Sequence, residues 1–519
     1  MTVRNPCREL RLAELVAALS LGVDLGFDQP MEHVLRQCVI SLRLADRLQL
    51  GEDERSTLYY TALMVNVACH SDAHEQAKWF GDDIAMKAGK YRHDGRSLRG
   101  LAAGLRTIGA GHPPWDRLRI GLEFALGGFR EVDAMIERHA ALARGLAAEL
   151  GLDDATQRAV AASYERWDGR GWPAGLRGDQ IPLAARISQF AEYIEVAQRV
   201  GGPEAATALA RERAGRQFDP HLAATLTGDP DGLLAGLDTA RSWDVVLEAE
   251  PALRRRLRGD AVDEALATVA DFVDLKSPYT LGHSRAVADL AADAARLAGM
   301  ADDEVTDLRR AGLVHDLGRL GVSNAIWDKP GPLGAGEWER IRLHPYFTER
   351  ILCQSPALAP LGAVAVQHHE RLDGSGYPRG LRGGAISPQA RFLAVADTYR
   401  TLREPRPHRE ALTADAVAVR LSRDAREGRL DADAVEATLT AAGHRATARH
   451  SRPAGLSARE IEVLRLVAQG LSSRQIADRL VLSPKTVRNH TEHIYAKTGA
   501  VNRVAASLFA VQHGLLPVD

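Results

Sequence analysis

The sequence predicts an all-α protein: two tandem copies of one helical domain, followed by a small C-terminal helical bundle. Three observations predict it. The 519 residues are rich in Ala, Leu and Arg, with aromatics at 5% and few runs of β-branched residues, a composition that favours helix over sheet. A segment of the first half recurs in the second half at a fixed offset. The last 64 residues carry helix-capping residues at short intervals.

The totals also exclude several classes. A chain of this length exceeds what one hydrophobic core organises. Hydrophobic residues at 45% and charged residues at 26% are the balance of an ordinary soluble globular protein. With 66 Lys+Arg against 68 Asp+Glu the net charge is −2, so any nucleic-acid affinity must come from a local patch. Cys7, Cys38, Cys69 and Cys353 have no CxxC spacing, which argues against a disulfide framework or a zinc knuckle. Neither a basic-then-apolar N-terminal pattern nor an 18-residue apolar run occurs. The expectation is a cytoplasmic protein without membrane contact.

The repeat sets the domain order. Tyr164 to Pro173 (YERWDGRGWP) lies 205 residues before His369 to Pro378 (HERLDGSGYP). Both continue into Gly-Leu-Arg-Gly, at Gly175 to Gly178 and Gly380 to Gly383. The same offset pairs His139 with His344, and Ala214 to Asp219 echoes Glu427 to Asp431. Three matches at one offset and a fourth in the same order, 212 residues apart (431 − 219), indicate duplication. The expected bounds are 5–228 for the first copy, 229–254 for a connector with turn signals at its start, and 255–445 for the second copy. A linker at 446–455 and a separate unit at 456–519 complete the chain.

Within the second copy, Val262 to Leu275, His283 to Leu297 and Asp302 to Leu313 repeat apolar residues at i, i+3, i+4 spacing and predict amphipathic helices. Asp373 to Pro378 must be a loop, because two glycines and a proline within six residues break a helix.

The same copy carries His283, His315-Asp316, His344, His368-His369 and Asp397 in order. Neutral imidazole and carboxylate together suit divalent Mn, Fe, Ni or Zn. An adjacent His-Asp lets Asp316 bridge two ions while His315 holds one. A phosphodiester repels hydroxide, so its hydrolysis needs charge neutralisation and a nucleophile at neutral pH, which two neighbouring ions supply.

These residues resemble the HD-GYP phosphodiesterases. The matching text is His315-Asp316-Leu317-Gly318, His344-Pro345, His368-His369-Glu370-Arg371 running into Asp373 to Pro378, and Val395-Ala396-Asp397. The resemblance implies an all-α HD-type fold, a metal centre and hydrolysis of cyclic di-GMP. It implies that His283, His315, Asp316 and Asp397 hold one ion, and that His344, His368 and His369 hold a second with Asp316 shared. It implies that the loop with Tyr377 shapes the substrate entrance, and that Arg406 and Arg409 grip phosphates. Departures matter. Arg319 stands where the family has Lys, keeping charge without proton transfer. Tyr279 replaces an acid found in three-metal members, so a two-metal centre is expected. Ala286 and Arg400 replace a supporting Arg and Asp, which leaves the ligands intact and their support altered.

The first copy keeps His33 and His139, but Val65-Asn66, Ser163-Tyr164 and Glu192 replace the remaining ligands. Valine cannot ligate, so this copy is expected to be inactive, with a sensor or dimerisation role. His70 and His74, at i, i+4, are a further candidate metal pair there; a polar, partly buried segment is the alternative.

In the tail, Ser457 to Glu460 is a capping box, Gly470 ends the first helix, and Ser472 to Gln475 opens a second. After the turn at Val481-Leu482, Ser483 caps and Pro484 starts a third helix that Gly499 closes. From Pro453 onward there are eight Lys/Arg against five Asp/Glu. Two short helices, a tight turn and a basic third helix make the helix-turn-helix plan. Leu456-Ser457, Arg459-Glu460, Gly470, Ile476-Ala477, Ser483 to Val487 and His490 resemble the LuxR/GerE-type domain. That resemblance implies major-groove binding of double-stranded DNA as a homodimer. Lys485, Thr486, Arg488, Asn489 and His493 face outward if Val487, Ile494 and Tyr495 face in.

Three readings follow from the residues and the resemblances. The first is a metal-dependent cyclic dinucleotide phosphodiesterase coupled to transcription. The second is a transcription regulator whose second copy senses a nucleotide or metal with little turnover. The third is a hydrolase of another phosphate, such as a nucleotide monoester.

Overall fold

Helix Asp260–Asp274 turns Val262, Leu266, Val269, Ala270 and Val273 inward, and His283–Leu297 buries Val287, Ala288, Ala291, Ala292 and Ala295. Both follow the i, i+3, i+4 stripe that the sequence carries. The third predicted helix spans Asp302–Val314. The computed structural model describes residues 9–92, 104, 106–110, 113–237, 241–251, 255–444, 454, 456–480, 482–500, 502–512 and 515. Apart from Ala454 the expected linker 446–455 lies outside these residues, as do Cys7, Arg254 and Val481.

The fold is all-α. Among the described residues the strands are Glu9–Arg11 and Arg256–Arg258, an antiparallel pair with Leu10 opposite Leu257. This pair ties the start of the chain to the entrance of the second copy. Helices His33–Arg47 and Glu52–Met64 match His283–Leu297 and Asp302–Val314 in length, each displaced by 250 residues (283 − 33 and 302 − 52).

Contacts divide the chain into Met1–His444 and Arg445–Asp519. Inside the first unit one hydrophobic core joins the two repeats. Leu15, Leu19 and Leu35 belong to the same buried cluster as Leu266, Leu317 and Leu352. Helix Leu12–Gly26 packs so closely on the turn after His315-Asp316 that a Cβ on Gly22 would stand 3.0 Å from Leu320 Cδ1. A second cluster, with Val287, Leu393, Val395 and Leu421, fills the space behind the site helices.

The second unit has helices Ala458–Ala468, Ser473–Leu480, Pro484–Thr498 and Arg503–Gln512 around Leu456, Val463, Leu464, Ile476, Val487 and Ile494. The fourth helix was not foreseen. Ser457 Oγ accepts from Glu460 N at 3.2 Å, and Glu460 Oε2 accepts from Ser457 N at 2.7 Å, so the capping box is present. Gly499 closes the third helix at φ 70°. No helix among the described residues is long and apolar enough to cross a membrane.

Candidate metal centre and catalytic site

Four helix ends and one helix interior of the second copy deliver the site. His283 is the first residue of its helix, and Asp274 fixes that start by accepting from Ser284 N and Ser284 Oγ, both at 2.8 Å. His315-Asp316 follow Val314 directly. His344 opens helix His344–Leu352, while His368-His369 follow helix Ala359–Ala365. Asp397 lies inside helix Pro388–Arg403. Gly318 is required where these meet, since a Cβ there would stand 2.0 Å from His344 O and 2.6 Å from Thr348 N. Thr348 Oγ1 stitches the same junction, donating to His315 O at 3.0 Å and accepting from Gly318 N at 2.9 Å.

All seven predicted ligands converge. His283 Nε2 is 3.4 Å from Asp397 Oδ1 and 3.9 Å from Asp316 Oδ2. His315 Nε2 is 3.6 Å from Asp316 Oδ2, and His344 Nε2 is 3.4 Å from Asp316 Oδ1. His368 Nε2 lies 3.2 Å from His344 Nε2, and His369 Nδ1 lies 3.7 Å from Asp397 Oδ2. The donor atoms fall into three overlapping groups: His283 with His315 and Asp397, His315 with Asp316 and His368, and His344 with His368 and His369.

The ring orientations fit metal ligation. His315, His344 and His368 each donate Nδ1–H to the carbonyl three residues back, at 2.7, 2.6 and 2.6 Å. This fixes the tautomer that leaves Nε2 with a lone pair facing the centre. His315 Nε2 is buried without a hydrogen-bond partner, an arrangement that is costly unless a cation completes it. Burial lowers the pKa of His344 to about 4 and of His368 to about 3, with neighbouring imidazoles adding to the effect at His368. Burial likewise holds His369 well below the usual imidazole range. Burial also opposes the charge of His283, but hydrogen bonds to Asp397 and Glu404 outweigh it and raise its pKa to about 9. A bound cation displaces that proton. Asp316 and Asp397 are held well below the carboxylate range despite burial, by His315 and Arg319 around one and by His283 and His369 around the other.

Beside the centre lies a cavity of about 700 Å³, bordered by Asp316, Arg319, Trp327, His344, Tyr377 and Arg406 among others. Arg319 donates to Asp316 Oδ2 at 2.9 Å and stacks 4.0 Å over the Trp327 ring. Its pKa is raised, because Asp316 more than offsets its burial, so it carries charge and not a transferable proton. Tyr377 lies 4.7 Å from the His369 ring. Its loop is held by Glu370, which accepts from Arg379 N at 2.7 Å and Leu381 N at 2.8 Å. Gly376 is needed there, since a Cβ would meet Arg371 N at 2.4 Å. Arg406 and Arg409 both line the cavity, but on protein acceptors. Arg406 donates to Tyr279 O and Glu404 Oε2, each at 2.9 Å. Arg409 donates to the carbonyls of Thr401, Leu402, Glu404 and Glu410, tying down the chain beyond helix Pro388–Arg403.

Glu404 is the functional residue that the sequence reading missed. It accepts from His283 Nδ1 at 2.9 Å and orients that ring. In the first copy the equivalent support is Glu195, which binds His33 Nδ1 and takes Arg36 Nε at 2.7 Å. The second copy has Arg400 and Ala286 at those places, and Glu404, one helical turn later, supplies the carboxylate instead. An acid one turn beyond Arg400 was the available signal.

The first copy's centre is filled from within. Lys90 Nζ sits 2.5 Å from Glu192 Oε1 and donates to Asn66 Oδ1 at 2.9 Å. Asn66 and Tyr91 also donate to Glu192, at 2.5 and 2.7 Å. An ammonium thus stands among the residues that replace the ligands. The surviving His139 pairs with Asp72 at 2.5 Å. His70 and His74 do not form the conjectured metal pair, because each is turned onto the second copy: His70 Nε2 lies 2.5 Å from Phe272 O, and His74 Nδ1 lies 2.8 Å from Asp328 Oδ2. Replacing Lys90 by Met leaves Glu192, 2% exposed, without its cation. The expected cost is about 3–5 kcal/mol, read as a lower unfolding temperature in chelator; an unchanged temperature would contradict this reading.

In the C-terminal unit Lys485, Arg488, Asn489 and His493 are exposed and Thr486 is half-buried, its N capped by Ser483 Oγ at 3.0 Å. Val487 and Ile494 are buried and Tyr495 half-buried, so the outward face of the third helix is the one expected.

The HD domain family matches residues 130–222 and 267–434, and bacterial regulatory proteins of the luxR family match residues 454–510. The fold and centre are those of a metal-dependent phosphohydrolase, and the chain belongs to the HD-domain family. The chain is 34% identical over 410 residues to the 3'3'-cGAMP-specific phosphodiesterase 3 of Vibrio cholerae, covering 78% of this chain and 89% of that one. The crystal structure of a cyclic GMP-AMP specific phosphodiesterase of V. cholerae (V-cGAP3) superposes with a TM-score of 0.57 at 28% identity, over 84% of this chain and 98% of that one. The cyclic di-GMP phosphodiesterase response regulator RpfG of Xanthomonas campestris is 35% identical over 179 residues, 34% of this chain and 47% of that protein.

Proposed function

We propose that residues 255–445 hydrolyse a 3'3'-linked cyclic dinucleotide, and that residues 456–519 bind double-stranded DNA as a homodimer. The carrying observation is the convergence of seven donor side chains, three of them imidazoles whose Nδ1–H is fixed on a carbonyl, beside a cavity of about 700 Å³. That volume suits a dinucleotide. The activities named for the V. cholerae and X. campestris relatives support the substrate class and widen it beyond cyclic di-GMP. The division at 228 and 255 into an inactive and an active copy belongs to the same reading.

His283, His315 and Asp397 would hold one divalent ion, Mn or Fe by donor type, and His344, His368 and His369 a second, with Asp316 between them. Such ions supply charge neutralisation and an acidified water. The chain's own residues do the rest. Asp316 and Asp397 stay anionic and Nδ1–H bonds to carbonyls fix the rings. Arg319 and Arg406 give the cavity wall positive charge toward the phosphates, and Trp327 and Tyr377 offer aromatic faces to the bases. Water adds across one P–O ester bond, and the ribose oxygen that leaves takes a proton. Glu404 on His283 restores the support lost at Ala286 and Arg400, which favours turnover over sensing alone.

The test supplies Mn- or Fe-loaded full chain with cyclic di-GMP, 3'3'-cGAMP and a nucleotide monoester. Linear dinucleotide that stops forming on chelation is expected. Nucleotide bound without turnover would favour the sensing regulator, and release of phosphate from the monoester alone would favour the third reading. For the tail, DNA affinity should fall with salt, and Lys485→Ala should reduce that slope by about 1; an unchanged slope would remove Lys485 from the phosphate contacts.

A further inference from the structure

The inactive copy reaches the wall of the active cavity. Helix Ala73–Phe80 carries His74, whose Nδ1 donates to Asp328 Oδ2 at 2.8 Å. Asp328 also accepts from Ser277 Oγ and Asn324 Nδ2, each at 2.8 Å, and it borders the cavity next to Trp327. Nine residues after His74 (83 − 74), Asp83, fully buried, accepts from Ser323 Oγ at 2.7 Å and from Asn324 N at 2.8 Å. Its other oxygen accepts from Lys87 Nζ at 3.0 Å and Lys276 Nζ at 3.5 Å, both lysines being buried. Two side chains of the first copy therefore fix the beginning and the end of the short segment 323–328. That segment carries Trp327, which stacks on Arg319 at 4.0 Å and meets the edge of His344 at 5.3 Å.

We infer that the first copy is a built-in part of the second copy's substrate site, with His74 and Asp83 as positioning residues that set the cavity wall at Trp327 and Asp328. This rests on the reading of the cavity as the dinucleotide site. A side chain held at both ends of a short segment keeps its neighbours in one arrangement, and small displacements in a binding wall act first on substrate affinity.

Two variants of the metal-loaded full chain test it. His74 is partly exposed, so His74→Ala leaves the core intact. Asn places its amide nitrogen near the position of histidine Nδ1, so His74→Asn keeps the donor. The expected result is a KM for the cyclic dinucleotide raised about tenfold in His74→Ala, with kcat within about twofold, and near wild-type values in His74→Asn. Hydrogen exchange over residues 323–328 should quicken about fivefold in His74→Ala and recover in His74→Asn. Unchanged exchange over that segment in His74→Ala, or equal impairment of both variants, would overturn the inference. Absence of any turnover in the wild-type chain would instead sink the substrate reading, and the exchange measurement would still decide the role of His74.

Discussion

Asp316→Asn is expected to abolish turnover. Asp316 is 4% exposed and stands within 3.9 Å of four imidazoles, those of His283, His315, His344 and His368, and 2.9 Å from Arg319. It is the carboxylate common to both halves of the centre. Asn keeps the shape and one acceptor oxygen but removes the charge that would hold divalent cations at the centre. Losing charge stabilisation of this kind costs several kcal/mol, and about 4 kcal/mol is about a thousandfold in rate. The variant should also bind less metal, measured after desalting. A rate within about tenfold of wild type would contradict the role given to Asp316.

Glu404→Ala is expected to weaken metal binding or turnover about 10–100-fold, the usual effect of removing a carboxylate behind a histidine ligand. Two causes act together. His283 loses the acceptor that fixes its ring, and Arg406 loses its partner at 2.9 Å. Glu404→Gln keeps an acceptor oxygen without the charge and should fall between wild type and Ala. Metal titration checks the cause: excess metal should recover most of the activity if orientation of His283 is what Glu404 supplies. Wild-type metal affinity and turnover in Glu404→Ala would show that His283 needs no such support.

Much of this was legible in the sequence because its signals were local. The helix His283–Leu297 has the bounds that the apolar period predicts, and the caps at Ser457, Ser483 and Gly499 stand where expected. The seven candidate donors were legible because imidazole and carboxylate in that order suit one chemistry, and the fold brings them together. What escaped depends on contacts distant in sequence. Glu404 meets His283 across 121 residues, and His74 meets Asp328 across 254. Lys90 as a replacement cation was equally invisible, since a lysine among helical residues has no signature until Glu192 is found beside it. The phosphate-gripping pair Arg406 and Arg409 came from a resemblance that identifies residues and not their partners. In this fold Arg406 donates to Glu404 and Tyr279 O and Arg409 donates to backbone carbonyls, while both still line the cavity. The copies were legible as separate stretches, yet one core joins them, because interior apolar residues do not announce which repeat they face.

The most direct test titrates metal-free full chain with Mn(II) or Fe(II) and follows bound metal and linear dinucleotide together. The account predicts that turnover of the cyclic dinucleotide rises in step with metal bound to the wild-type chain. In Asp316→Asn, binding and turnover should both be lost. Turnover that persists in chelator, or a fully loaded wild-type centre that leaves every cyclic dinucleotide intact, would contradict it.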